Sequence, residues 1–170
     1  MNNLLIMSDS HGLTEEIEVI KNRHNCTYMF HCGDSELDMD APELAGFIKV
    51  GGNCDFDSRY PDEQVSRIGD VAFLLTHGHL HNVKMNMTTL SYRAEELGAS
   101  VICFGHTHIA GAEKIGNQLF INPGSIRLPR ARVEKTYAIM KWESIHDINI
   151  TFYTTSGELV KGMSYNFQLE

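Results

Sequence analysis

Five short apolar runs in this 170-residue chain stop in the same way, at a glycine-bearing loop that carries Asp, Asn or His. Residues 4–7 lead into Ser8-Asp9-Ser10-His11-Gly12, and residues 28–30 into His31-Cys32-Gly33-Asp34. Residues 47–50 lead into Gly51-Gly52-Asn53-Cys54-Asp55, and residues 71–75 into Thr76-His77-Gly78-His79. Residues 101–104 lead into Gly105-His106-Thr107-His108. Brief uninterrupted apolar runs are the pattern of strands buried on both faces. Ligands of open α/β sheets bind outside the carboxyl ends of the strands. If the five strands lie side by side, Asp9, His11, Asp34, Asn53, His77, His106 and His108 converge on one edge. The glycines at 12, 33, 52, 78 and 105 permit the tight turns and close backbone approach that such an edge needs.

The remaining segments complete an alternating pattern. A helix is expected after the first loop, with Leu13, Ile17 and Ile20 at helical spacing and Glu15 and Glu16 in its first turn. A second helix is expected over residues 88–97, with Leu90, Ala94 and Leu97 on one face and Gly98 as its stop. Beyond residue 110 the texture turns to strand. Gly116-Asn117 marks a hairpin, residues 119–121 lead into Asn122-Pro123-Gly124-Ser125, and residues 136–142, 148–154 and 163–168 read as antiparallel strands. With no repeat or linker, the reading is one domain over residues 1–170, an α/β half followed by a β-rich half packed as one sandwich.

Composition narrows the possible partners. A formal charge of −8 argues against an extended nucleic-acid surface, which needs clustered Lys and Arg. A small phosphorylated substrate remains compatible, because bound divalent cations reverse the local field. No apolar run nears the ~20 residues that span a bilayer, and no signal peptide is read at Met1-Asn2-Asn3, so a cytoplasmic location and no membrane partner are expected. Cys26, Cys32, Cys54 and Cys103 form no CxxC pair and read as reduced thiols. Any assembly is expected to be a monomer or a small homo-oligomer.

The donor set suits two first-row metal ions, which need roughly three or four protein ligands each. Asp34 is the expected bridge, since its charge offsets the repulsion between cations ~3.5–4 Å apart. Imidazole and carboxylate ligation without cysteine fits Mn²⁺ first, with Ni²⁺, Zn²⁺ or Fe as alternatives, and fits Ca²⁺ poorly. Each motif taken alone has a plain alternative. Asp9-Ser10-His11 could cap the following helix, Gly33-Asp34 and Gly52-Asn53 are common turn dipeptides, and HxH places two side chains on one strand face. Their recurrence after five strands is what points to a metal centre.

The same five blocks, D-x-H, GD, GN, H and GHxH, resemble the calcineurin-like metallophosphoesterase superfamily. Within it, the GNCD and NPGS blocks and the small size resemble the YfcE-type phosphodiesterases of bacteria and archaea. The resemblance implies a four-layer α-β-β-α sandwich, two mixed β-sheets flanked by helices. It implies Asp9, His11, Asp34 and His108 on one metal, and Asp34, Asn53, His77 and His106 on the other. The implied activity is hydrolysis of a small phosphodiester by a hydroxide shared between the ions, with Asp34 and Asn53 in the catalytic set.

One position departs from the superfamily pattern: Cys54 stands where many members carry a His that protonates the leaving group. A thiol is a poor acid for an alkoxide, so either the leaving group is good or another acid such as His79 or His81 serves, His79 having a supporting place in the pocket as its plain alternative. Ser125 and Arg127, after the NPGS turn, are the expected substrate contacts, with Arg130 as a further phosphate-binding candidate. Two rival readings come from other classes. A non-catalytic scaffold resembling the eukaryotic retromer subunit would leave ligand positions free to erode, yet all seven are present. His77-x-His79-x-His81 resembles the metallo-β-lactamase motif but lacks its Asp.

Overall fold

A computed structural model describes all of residues 1–170. Eleven strands form two sheets. The first has the order β11(Leu159–Phe167)-β10(Asp147–Thr154)-β9(Thr136–Ser144)-β1(Asn2–Met7)-β2(Tyr28–His31)-β3(Phe47–Lys49). The second has the order β4(Glu63–Ile68)-β5(Val71–Thr76)-β6(Val101–Cys103)-β8(Gln118–Asn122)-β7(Gly111–Ile115). β1, β2 and β3 run parallel, as do β5, β6 and β8, whereas β4, β7 and the β9–β11 meander are antiparallel. Both sheets are therefore mixed.

Period-two alternation explains the continuous apolar runs. In β1, Leu4 and Ile6 face the second sheet, while Leu5 and Met7 face helix α1(Glu15–His24) through Ile17 and Ile20. In β5, Phe73 and Leu75 point into the space between the sheets, while Leu74 meets Leu90 and Ala94 of helix α2(Thr88–Leu97). β1 and β5 are thus covered on both faces, which yields the expected four layers, α-β-β-α. The inner layer is tied by aromatic edges: Phe73 stands edge-on to Phe30 at 5.3 Å and lies 5.5 Å from Trp142 between ring centroids.

Three local outcomes matter for the site. The five ligand-bearing strands do not lie side by side in one sheet, contrary to the sequence expectation: β1, β2 and β3 belong to one sheet, β5 and β6 to the other. Their carboxyl ends meet because the two sheets stack with the same edges together. β4, the sequence EQVSRI, was not anticipated, because as a half-exposed edge strand it lacks the apolar run that marks its neighbours. Helix α1 begins at Glu15 after Thr14, so Asp9 is too far upstream to cap it. α2 spans residues 88–97 as expected, and Gly98 closes it in the left-handed conformation at φ 67°.

Candidate metal centre

At the stacked edge, the loops after β1, β2 and β3 face those after β5 and β6. Asp9, His11, Asp34, His106 and His108 all hold positive φ (54°, 42°, 56°, 71° and 61°), a conformation uncommon for residues other than glycine. Such backbone persists only where its surroundings over-determine it, and it gathers at functional sites. Here the β1–β2 pairing continues into the loops. The Asp9 N–H donates to Gly33 O at 3.0 Å, His11 N–H to Asp34 O at 3.0 Å and Gly12 N–H to Ser35 O at 2.8 Å.

Asp9 is central. Its carboxylate is fully buried; Oδ2 accepts the Ser8 hydroxyl at 2.6 Å and the His106 N–H at 3.1 Å. Oδ1 has no hydrogen-bond partner, although three imidazole Nε2 atoms surround it, His108 at 3.1 Å and His11 and His77 each at 3.7 Å. Burial alone would raise this carboxyl, but His108, His11, His77 and Ser8 hold it well below the usual carboxylate range.

The imidazoles are oriented from behind. The Nδ1–H of His77 donates to Cys32 O at 2.7 Å, and that of His108 to Leu128 O at 2.6 Å. His11 Nδ1 meets Glu36 Oε1 at 2.7 Å. Each ring therefore spends its Nδ1 proton on an oxygen and turns Nε2 inward, as metal-ligating histidines do. His77 Nε2 faces Asn53 Oδ1 at 3.1 Å and Asp34 Oδ2 at 3.2 Å, while the Nε2 atoms of His11 and His108 face each other at 3.4 Å. Lone pairs at these separations need a cation between them. In the protein alone that cation is a proton. Contact with Asp9, opposed by burial and aided by Glu36, raises His11 to about 9, and Asp34 and Asp9 raise His77 against its burial.

Beside a third group of His11, Glu36 and Cys54, two ligand clusters are built on buried carboxylates, Asp9-His11-His108 and Asp9-Asp34-His77, each with donor atoms within 4.8 Å of one another. Asp9 is common to both. Asp34, the bridge expected from the sequence, belongs to the second cluster alone in this geometry. Its Oδ1 accepts the Cys54 N–H at 2.8 Å. Asn53 reaches the second cluster through Oδ1, whereas the ring nitrogens of His106 fall outside both. The His106 ring stands 5.1 Å from that of His77 between centroids. Burial, with the charges of His77 and Lys84, pushes it down to about 4.

The donor set fits divalent cations on two further observations. A buried carboxylate oxygen without a partner is costly unless a cation meets it. Two glycines also leave room that no other residue would. A Cβ on Gly52 would lie 2.1 Å from Asp34 Oδ1, and one on Gly105 would lie 2.1 Å from Ser8 Oγ and 2.5 Å from Asp9 Oδ2.

The other anticipated residues are more dispersed. His79 is half-buried with its ring 5.4 Å from that of His77, and burial together with the His77 charge lowers its pKa. Burial and the carboxylates of Asp34, Glu36 and Asp55 push the Cys54 thiol up to about 11. Arg127 is exposed and hydrogen-bonds the His11 carbonyl, which places it at the cleft rim. Arg130 is also exposed, and its backbone N–H donates to His108 O at 3.0 Å. Ser125 does not face the cleft. It has no accessible surface, and its hydroxyl donates to Asp9 O at 2.7 Å while accepting the N–H groups of Leu128 and Arg127. It shapes the wall instead of meeting a ligand.

Several supporting groups escaped the sequence reading. Glu36 and the carbonyls of Cys32 and Leu128 orient the histidines, and backbone carbonyls have no sequence signature. Asp55 accepts the N–H groups of Asp34 (2.8 Å), Gly52 (2.7 Å) and Glu36 (2.8 Å) and so ties the loops after β2 and β3 together.

Comparison with known proteins identifies the family. Residues 2–144 match the calcineurin-like phosphoesterase superfamily domain, and the chain belongs to that superfamily. It is 48% identical over 163 residues to the probable metallophosphoesterase YsnB of Bacillus subtilis, covering 95% of this chain and 96% of the relative. A crystal structure from Streptococcus pneumoniae TIGR4, described as a predicted phosphoesterase, superposes with a TM-score of 0.92 at 36% identity, covering 98% of this chain and 97% of that one. Two more distant structures share the fold. The phosphoesterase YfcE of E. coli has a TM-score of 0.70 at 19% identity, covering 99% of this chain and 100% of its own. Vps29 of Chaetomium thermophilum has a TM-score of 0.79 at 17% identity, with 100% of both chains covered.

Proposed function

We propose that this metallophosphoesterase hydrolyses phosphodiester bonds with two divalent cations, Mn²⁺ foremost. Asp9, His11, Asp34 and His108 would hold one ion, and Asp34, Asn53, His77 and His106 the other. The observation that carries the reading is the unpartnered, buried Oδ1 of Asp9 encircled by three inward-turned Nε2 atoms. Such a pair of ions would acidify water toward neutral pH and neutralise charge on the phosphoryl oxygens. The chain's own part is to preorganise the ligands. Cys32, Leu128 and Glu36 fix the rings, and Asp55 holds the Asp34 loop, so little reorganisation remains when substrate binds. Arg127, at the rim beside His11, would hold a substrate oxygen.

Leaving-group chemistry follows from Cys54 and His79. A thiol near pKa 11 is a weak proton donor, and His79 is held neutral at pH 7, so phosphodiesters with acidic leaving groups suit this cleft. His79 would supply a proton on the acid side of neutrality. A scaffold role has fold likeness to Vps29 in its favour, and the intact donor set weighs against it.

The test is hydrolysis of bis-p-nitrophenyl phosphate and p-nitrophenyl phosphate by metal-stripped protein, with Mn²⁺, Ni²⁺, Zn²⁺ or Mg²⁺ restored. The expected result is metal-dependent turnover favouring the diester. Asp34→Asn and Asp9→Asn run beside it with metal stoichiometry measured: Asp34→Asn, which alters the proposed bridge, should lose both ions, and Asp9→Asn should lose one. Stoichiometric binding of two ions with no turnover of either ester would move the reading to a scaffold.

A further inference from the structure

The proposed reaction leaves one fully buried pair unused: His31, the last residue of β2, and Ser10, which lies between Asp9 and His11. The Gly33 N–H donates to His31 Nδ1 at 3.2 Å, which makes that nitrogen the acceptor. The ring proton therefore sits on Nε2 and is donated to Ser10 Oγ at 2.9 Å. One rigid ring thus joins the loop of Asp9 and His11 to the loop of Asp34 from inside the protein. Phe47 backs the ring edge-on at 6.0 Å between centroids.

Both loops need such a tie, since Asp9, His11 and Asp34 all hold a conformation disfavoured for L residues. The backbone bonds from Asp9 to Gly33 and from His11 to Asp34 set the register of the loops, and neither involves Ser10. The His31 ring is the side-chain link between Ser10 and Gly33, and each of these adjoins a proposed ligand.

We propose that His31 is a positioning residue which, through Ser10 and Gly33, sets the spacing between the loop of Asp9 and His11 and the loop of Asp34, and so the geometry of the ligands that both loops supply. This rests on the two-ion reading for the number of ions, not on the reaction. A protein that binds two ions and hydrolyses nothing would refute the activity and still test the clamp.

The experiment is calorimetric titration of metal-free protein with Mn²⁺, comparing the parent with Ser10→Ala, His31→Asn, His31→Gln and the Ser10→Ala/His31→Asn double variant. Asn keeps an acceptor near the position of Nδ1 and falls short of Ser10, while Gln keeps a donor near the position of Nε2. Ser10→Ala and His31→Asn should each weaken Mn²⁺ binding by about tenfold, as for other groups that orient ligands. Because both remove the same bond, the double variant should be no weaker than either single one. His31→Gln should recover most of the affinity lost in His31→Asn. Melting of the metal-free variants checks that the fold is kept; should His31→Asn fail to fold, Ser10→Ala decides. Parent affinity for both ions in Ser10→Ala, or losses that add in the double variant, would overturn the proposal.

Discussion

A single methyl group at position 52 should disable the centre. Gly52 does not occupy the left-handed region, so its backbone accepts alanine and only space is at issue. The added Cβ would lie 2.1 Å from Asp34 Oδ1, 2.7 Å from Asp34 Cγ and 2.8 Å from the Asp34 backbone nitrogen. Ordinary contact begins at 3.4 Å, so Oδ1 must retreat by about 1.3 Å (3.4 less 2.1), and the nearby backbone prevents the side chain from escaping alone. Overpacking of this kind costs about 1–3 kcal/mol of stability. A ligand displaced by about 1 Å costs on the order of a hundredfold in rate. Gly52→Ala should therefore melt earlier, bind Mn²⁺ with reduced stoichiometry and lose most of its diester hydrolysis. Gly111→Ala is the control, because a Cβ there meets nothing within 4 Å. Its stability should change by less than about 0.5 kcal/mol. Calorimetric titration and bis-p-nitrophenyl phosphate turnover read both variants. Gly52→Ala with parent stoichiometry and parent rate would refute the argument that Asp34 sits where the ions are held.

Three further outcomes are expected. His11, at about 9 in the protein alone, is protonated at pH 7.5 and must release that proton to ligate. Mn²⁺ affinity should rise between pH 7 and 9, with proton release visible as a buffer-dependent calorimetric enthalpy, and a flat profile would contradict this. His31 has the opposite sign: burial holds it at about 4 in the folded chain against 6.5 when unfolded. Its contribution to stability is complete above pH 6.5 and is lost as pH falls toward 4, by at most about 3 kcal/mol. Denaturant midpoints of metal-free parent and His31→Gln should therefore converge on acidification, and parallel profiles would count against it. Phe73→Ala removes the ring lodged between Phe30 and Trp142, and urea unfolding should show a loss of about 3–5 kcal/mol.

The sequence carried the donor inventory and the local elements. Asp9, His11, Asp34, Asn53, His77, His106 and His108 were legible as candidates because each lies in a glycine-bearing loop directly after an apolar run, and these are local signals. Residues 88–97 were legible as α2 because an amphipathic period and a closing glycine are also local. β4 was not, because an edge strand with one face toward solvent needs no apolar run.

Tertiary structure alone decided how the donors meet. Chain order cannot say that β1–β3 and β5–β6 belong to different sheets, and only the stacking of those sheets brings Asp9 Oδ1 within 3.7 Å of His77 and 3.1 Å of His108. The same holds for the parts played by Ser125, His31, Glu36, Asp55 and the Leu128 carbonyl. Each is defined by a hydrogen bond between loops distant along the chain or by a backbone atom that every residue shares. Composition and periodicity report how a segment meets solvent. The partner of a buried polar atom is set by packing.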